Sequence, residues 1–195
     1  NNNGAPMTGC GDISNVYDFG DGEEPGPEFT VTLSASGLTG SYDLTAGFSS
    51  EATDGFDEFV DDFAPPMPPP PAFDAALGWE GERFYIQILG SDESDFGVDH
   101  IFDLILQHDT DGMIDLAWDN SGWDDHGLFM LQDAFGGDMV SVVMNHVGGF
   151  QVDVDTPPLQ FIMTPGAEVP PPPVSTANVQ VIHNSASPTV DVYID

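Results

Sequence analysis

Positive charge is almost absent from this sequence. It has one Lys or Arg against 34 Asp and Glu, and a formal net charge of −33 over 195 residues. The single cation is Arg83. Because phosphate groups are bound mainly by Lys and Arg, the composition excludes nucleic acid as a partner and disfavours anionic lipid surfaces. A chain with charges of one sign cannot neutralise itself with internal ion pairs, and self-repulsion opposes its compact state.

Cysteine and long apolar runs are also scarce. Cys10 is the only cysteine. An internal disulfide is therefore excluded, and a buried free thiol or an intermolecular link are the alternatives. No stretch of about 18 apolar residues occurs, which predicts that no helix spans a membrane. The chain starts at Asn1 without Met, as a mature secreted product would after removal of a signal peptide.

Apolar and aromatic residues are plentiful enough for one folded domain. They make up 40% of the chain and include 14 Phe and 3 Trp, more than a disordered acidic segment contains. The acids are mostly Asp, at 25 Asp against 9 Glu. Asp favours turns and calcium-binding loops, so the acidity indicates either a salt-adapted surface or cation binding, and the two can coexist.

Short segments of alternating apolar and polar residues recur along the chain and predict β-strands. Phe29, Val31 and Leu33 alternate with polar residues, and Tyr42, Leu44, Ala46 and Phe48 continue the pattern. Further strands are predicted at Ala72–Trp79, Arg83–Leu89, Asp99–Gln107, Met113–Trp118, Gly127–Gln132, Met139–Asn145, Phe150–Val154 and Leu159–Thr164. No segment keeps a helical period over three turns. The pattern predicts an all-β fold, an Ig-like or jelly-roll β-sandwich.

Composition divides the chain into four parts. Residues 1–27 are predicted to form an extended N-terminal arm, and residues 28–165 the sandwich. Two proline tracts, 65–71 and 170–173, favour stiff polyproline II spacers. The second tract makes 166–176 a linker to a C-terminal segment, 177–195, with two strongly patterned strands. Because an isolated strand pair is not stable, this segment must pair with its own body or with a neighbouring subunit.

Residues 51–77 carry a resemblance to a known kind of module. They read Glu-Ala-Thr-Asp-Gly-Phe-Asp, continue through a proline-rich stretch and end in a Phe-Asp-Ala strand. This resembles β-sandwich modules of large secreted bacterial surface proteins, with Thr53–Pro71 the most specific part. The resemblance implies secretion and a β fold, and it implies no reaction.

Residues 178–195 carry a second resemblance. Val-Gln-Val-Ile-His-Asn-Ser-Ala followed by Val-Asp-Val-Tyr-Ile-Asp is similar to the opening of an uncharacterised extracellular β-domain family. That family continues for about a hundred further residues, so either the parent protein is longer or these two strands have another use.

Asp-rich turns are the candidate metal sites. Calcium takes six to eight oxygen ligands from such loops, although no EF-hand spacing occurs here. Solvated turn aspartates are the alternative for any single cluster. The predicted ligands are Asp54, Asp57, Asp109, Asp111, Asp115, Asp119, Asp124 and Asp125. Zinc is weakly supported because the five His show no ligand spacing.

The sequence offers no positioned nucleophile, so no enzymatic activity is predicted. The first functional hypothesis is a structural subunit of an extracellular, pilus-like filament or surface polymer. It would assemble by strand exchange and be stabilised by cations, with calcium as the candidate cofactor. Strand exchange would follow the donor-strand mode and join copies of this chain. The predicted subunit contacts are Val179, Val181, Val190, Val192 and Ile194. The alternative is an adhesin or carbohydrate-binding module at the cell surface, with Trp123 as an exposed ring for a glycan.

Overall fold

The computed structural model describes residues 29–91, 95–110 and 112–172, and all regular structure in this part is β-strand apart from two 3₁₀ turns. The turns are Trp123–Asp125 and Met144–His146. The strands are β1 (Phe29–Ser36), β2 (Ser41–Ser49), β3 (Asp62–Phe63), β4 (Asp74–Trp79), β5 (Glu82–Gly90), β6 (His100–Gln107), β7 (Ile114–Ala117), β8 (Gly127–Asp133), β9 (Ser141–Val143), β10 (Gly149–Val152) and β11 (Leu159–Pro165).

All eleven strands belong to one curled, mixed sheet. Its order is β10-β7-β1-β2-β5-β4-β6-β11-β8-β9, and β3 pairs with β5 beside this path. The pairings are antiparallel except for β2 and β5, which run parallel with Thr45 opposite Ile86. The curl brings the two halves of the sheet face to face. Phe29 on β1 thus contacts Phe129 on β8, with ring centroids 5.3 Å apart, although these strands are not sheet neighbours.

Alternation along the strands produces the core between the two halves. On β6, Phe102 and Leu104 are buried while Ile101 and Asp103 are exposed, as the sequence pattern predicts. On β1, Val31, Leu33 and Ala35 supply the buried set. Because side chains alternate between the faces of a strand, this pattern fixes which face packs inward. The predicted all-β, sandwich-like fold is therefore confirmed.

The ten strands predicted within residues 28–165 all occur, with ends that differ by a few residues. The largest difference in strand ends is in the second half of Met139–Asn145. In addition, the structure has a strand, β3, that the sequence pattern does not predict. The predicted strand stops at Val143 because Met144–His146 turns as a 3₁₀ helix. β3 has only two residues, and its pairing is bulged against β5, so it leaves no alternation to detect.

The first proline tract lies against β5 and β6. Gln107 donates from its side-chain amide to the carbonyls of Pro68 and Ala72, at 3.1 and 2.6 Å. Arg83 on β5 donates to the Pro65 carbonyl. These bonds anchor a stretch that cannot donate its own backbone N–H groups at proline positions.

Several predictions concern residues outside the described part of the chain. They are the N-terminal arm 1–27, Cys10, Asp111, and the C-terminal strand segment 177–195 with its five contact residues. Among the residues that are described, no helix is long and apolar enough to cross a membrane.

Candidate functional site

Two strands end the sheet, and each has a single partner among the described residues. β10 pairs with β7, and β9 pairs with β8. The backbone N–H and C=O groups on the outer side of an edge strand form a template for a further strand. β9 ends at Val143 and β10 begins at Gly149, so the two edges are joined by a short connection.

Neither edge strand carries a charged residue, in a chain with 34 acids. β9 reads Ser-Val-Val, and β10 reads Gly-Phe-Gln-Val. Seven of the other nine strands contain at least one Asp, Glu or Arg, and the two exceptions, β1 and β11, are interior strands of the sheet. Natural sheets commonly protect an exposed edge with charged side chains or proline. These two edges carry neither charge nor proline, and they are short, at three and four residues.

Side-chain hydrogen bonds tie the connection between the two edges, residues 144–148, to neighbouring parts of the sheet. The Asn145 carbonyl oxygen Oδ1 accepts from the Phe129 N–H at 2.9 Å, and its amide donates to the Gly127 carbonyl at 3.0 Å. Trp118 donates from its indole to the Met144 carbonyl at 3.0 Å. These bonds fix the spacing between the edges.

The chain also leaves the sandwich beside these edges. After β11 the backbone bonds to the opposite loop, with the Gly166 N–H donating to the His126 carbonyl at 2.8 Å. His146, in the connection between β9 and β10, donates from Nε2 to the Pro170 carbonyl at 2.7 Å. The last described residue, Pro172, is two positions further along. The last described residues therefore lie beside the connection between the two edges.

An apolar cleft of about 310 Å³ opens elsewhere, where β1, β2, β8 and β11 meet. Four phenylalanines line it: Phe29, Phe48, Phe96 and Phe129. A fifth ring, His126, stacks on Phe29 with centroids 4.0 Å apart. The rings come from distant parts of the sequence, so no local pattern could have revealed the cleft.

The border of this aromatic cleft is acidic. Asp95 and Asp125 both line it, and Asp125 is exposed. Phe96 lies directly over Gly166, where an added Cβ would be 2.4 Å from the Phe96 ring. Gly166 also has φ +67, so glycine meets both the steric and the backbone requirement there.

Three buried carboxylates serve as acceptors for loop backbone rather than facing solvent. Asp133 accepts three backbone N–H bonds, from Phe135, Met139 and Val140, at 2.9, 2.8 and 2.7 Å. The bond from Val140 is the largest influence and lowers the pKa of Asp133, against the opposing effect of desolvation. Asp133 thereby closes the loop between β8 and β9.

Asp61 and Asp109 act in the same way on other loops. Asp61 accepts the N–H groups of Asp57 and Ile88, each at 2.7 Å, but desolvation dominates and raises its pKa. Asp109 accepts the Thr39 N–H at 2.6 Å, and a side-chain bond from Thr39 lowers its pKa. The other oxygen of Asp109, Oδ1, is buried and has no hydrogen-bond partner in the part of the chain that is described.

The predicted metal ligands lie in separate places. Asp57 accepts the Thr53 N–H at 2.6 Å, and Asp54 accepts the Trp79 indole through its backbone carbonyl at 2.9 Å. Asp119 accepts from Ser121, whose hydroxyl bond lowers the pKa of Asp119.

The remaining candidates are also dispersed. Asp115 is exposed and accepts from Gln151 at 2.7 Å, Asp124 accepts from Asn145 at 3.0 Å, and Asp125 borders the aromatic cleft. Over the described ranges, no group of three or more His, Cys, Asp or Glu is placed so that it could hold a metal ion. Because Asp111 is outside those ranges, the predicted calcium site stays a prediction.

The prediction that Trp123 is exposed is wrong. Trp123 is 3% exposed, and its ring packs on Phe129 with centroids 4.8 Å apart. The 3₁₀ turn Trp123–Asp125 folds the ring inward, although Gly and Asp surround it in the sequence. Trp118 is buried, and Trp79 packs partly buried against the core.

The Arg83 side chain is bonded to other residues of the fold. Its guanidinium forms an ion pair with Asp74, which is 1% exposed, and donates to the Pro65 carbonyl. Because Arg83 is the only Lys or Arg in the sequence, no such side chain is left to bind an anionic ligand elsewhere.

Comparison of the chain with models of protein families, with curated proteins and with solved structures finds no match. The two resemblances at residues 51–77 and 178–195 therefore stay predictions.

Proposed function

We propose that this chain is a non-catalytic structural subunit of an extracellular filament or surface polymer. A strand from the C-terminal segment of one subunit adds to the β10 or β9 edge of the next. The observation that carries the proposal is the pair of uncharged edges, whose connection contacts Pro170 near the end of the described residues.

The composition of the C-terminal segment suits this role. Residues 174–195 contain only two acids, Asp191 and Asp195, whereas residues 1–27 contain five. An acidic body repels an acidic strand, so the C-terminal segment is the better donor on charge grounds. Its alternating apolar residues are spaced to place one set of side chains on the sheet face. They are Val179, Val181, Val190, Val192 and Ile194.

The lengths of donor and acceptor also correspond. β10 has four residues and β9 has three, while the alternating run Val190–Ile194 has five. In strand addition the backbone bonds supply affinity, and pockets for alternate side chains supply specificity. The composition of the proline tract 170–173 favours a stiff spacer, which would hold the donor away from its own body and favour pairing with a neighbour. Head-to-tail pairing of this kind forms an open filament.

We also propose that cations bind between the subunits. Each subunit has a net charge of −33, and the repulsion between packed subunits must be screened. Calcium is the cation we propose. The buried and unpartnered Oδ1 of Asp109 is the described carboxylate oxygen that best fits such a ligand, since calcium prefers hard oxygen donors.

Removal of residues 174–195 tests the proposal. We expect the intact chain to form filaments visible by electron microscopy, and the shortened chain to sediment as a monomer with an unchanged circular dichroism spectrum. Removal of residues 1–27 is the matched control and should leave filaments intact.

Filaments that persist without residues 174–195 would contradict the donor role of this segment. An intact chain that is monomeric and binds sugars on a glycan array would instead support the alternative, a carbohydrate-binding module.

A further inference from the structure

The aromatic cleft combines two features that call for one kind of ligand. Phe29, Phe48, Phe96 and Phe129 line it, and the exposed ring of Phe96 offers an aromatic face, which carries negative electrostatic potential. Asp95 and Asp125 line it as well. The site therefore offers apolar contact and negative charge together.

No Lys or Arg neutralises this border. Arg83 is the only such residue in the chain, and it is bonded to Asp74 and Pro65. The surrounding field is also strongly negative, because the whole chain has a net charge of −33. A cleft of this sign concentrates cations at its mouth.

Other ligand classes fit less well. An anion is repelled by the two carboxylates. A bare calcium ion needs six to eight oxygen ligands, which aromatic walls cannot supply. A neutral apolar molecule would fill the cleft but gain nothing from the charge of Asp125. An organic cation contacts the aromatic lining through cation–π interaction and Asp125 through charge.

We propose that the aromatic cleft binds a small organic ammonium ion, with Phe29, Phe96 and His126 around its alkyl groups and Asp125 beside its charge. The volume of about 310 Å³ is at the small end of ligand sites, so it suits an ion of the size of choline. This site is independent of the strand pairing proposed above, because the cleft and the β9 and β10 edges are made by different residues.

Titration of the intact chain with choline tests the proposal. Choline and its neutral isostere 3,3-dimethyl-1-butanol have nearly the same shape and differ in charge. We expect choline to bind saturably by calorimetry, with a Kd of about 1 mM, and to shift the His126 ring signals in NMR spectra. The isostere should bind at least about threefold more weakly, because it loses the cation–π and charge terms.

A pair of matched variants locates the effect. Asp125→Asn keeps the shape of the border and removes one charge, and it should weaken choline binding about threefold to fivefold. Asp155→Asn removes the same charge from an exposed loop and should change the Kd by less than about twofold. Both residues are exposed, so neither change should unfold the chain.

Each alternative outcome overturns the proposal. Equal binding of choline and the isostere means simple apolar filling of the cleft. Equal weakening by Asp125→Asn and Asp155→Asn means attraction by the general negative field. Absence of saturable choline binding, or choline shifts that leave the His126 ring unaffected, means that the cleft does not select ammonium ions.

Discussion

Several of the aspartates in this chain are structural acceptors inside loops. Asp61, Asp109 and Asp133 are 8%, 2% and 0% exposed, and each accepts at least one backbone N–H group. The Asp side chain is short enough to reach loop backbone a few residues away. Part of the excess of Asp over Glu therefore reflects loop closure, and the remainder reflects an acidic surface.

Replacing Asp133 with Asn should destabilise the fold in a pH-dependent way. The pKa of Asp133 is lowered, so its stabilising effect is fully present above the unfolded-state pKa of about 3.9 and is lost as pH falls through the folded value. The difference in free energy of unfolding between wild type and Asp133→Asn should be constant from about pH 7 to 5 and should shrink below about pH 4. Denaturant titrations at several pH values measure it.

Asp138 supplies the control for this experiment. It is exposed in the same loop, so Asp138→Asn should leave the free energy of unfolding nearly unchanged. A loss for Asp133→Asn that stays constant down to pH 2, or that equals the loss for Asp138→Asn, would contradict the acceptor role.

Trp123→Ala should cost about 3–5 kcal/mol of unfolding free energy, because it removes a large buried ring. Phe59→Ala is the comparison. Phe59 is 95% exposed, so its truncation should cost less than about 0.5 kcal/mol. A small loss for Trp123→Ala, measured by urea denaturation, would place the ring on the surface.

Strand positions were predictable from the sequence because alternation is a local signal. Phe102 and Leu104 against Ile101 and Asp103 show it clearly. The burial of Trp123 was not predictable, because a 3₁₀ turn reverses the direction that its Gly and Asp neighbours suggest. The cleft was not predictable either, since Phe29 and Phe129 meet only after the sheet curls.

The uncharged edges had a weak signal in the sequence. The segments Ser141–Val143 and Gly149–Val152 lack charge, but so do β1 and β11. Only the strand order distinguishes an edge from an interior strand. The sequence could therefore predict the strands, and the strand order was needed to identify which of them form the edges.

A charged residue placed on the β10 edge should block strand addition. Gln151→Lys puts an edge Lys opposite Asp115, the residue that Gln151 already contacts. We expect filament mass by sedimentation to fall about tenfold or more, although the added positive charge lowers the general repulsion between subunits.

The matched control is Gln160→Lys. Gln160 lies on interior strand β11 opposite Asp103 and donates to it at 3.0 Å, so the local change is the same. This variant should assemble at least as well as wild type. Equal effects of the two substitutions would exclude β10 as the acceptor edge, and β9 would then be tested by Val142→Lys.

Across the whole molecule, a net charge of −33 opposes both folding and assembly. Raising ionic strength from about 0.01 M to 0.15 M shortens the screening length from about 30 Å to 8 Å. The Tm should therefore rise with salt, by about 2–4 °C for each kcal/mol of repulsion relieved. Differential scanning calorimetry measures this shift.

Calcium at matched ionic strength separates screening from site binding. A further rise in Tm with calcium, reversed by a chelator, would support a calcium site. Equal Tm values with calcium and sodium would leave screening alone. A Tm unaffected by salt, calcium and chelator would contradict the role we give the acidic surface.

Cross-linking in the assembled polymer tests the strand pairing most directly. A photoreactive amino acid replaces Gln151 in chains labelled with ¹⁵N, which are assembled with unlabelled chains, and mass spectrometry identifies the products. We predict cross-links from position 151 to residues 177–195 that join a labelled chain to an unlabelled one. Cross-links confined to single chains, or directed to residues 1–27, would contradict donor-strand assembly by the C-terminal segment.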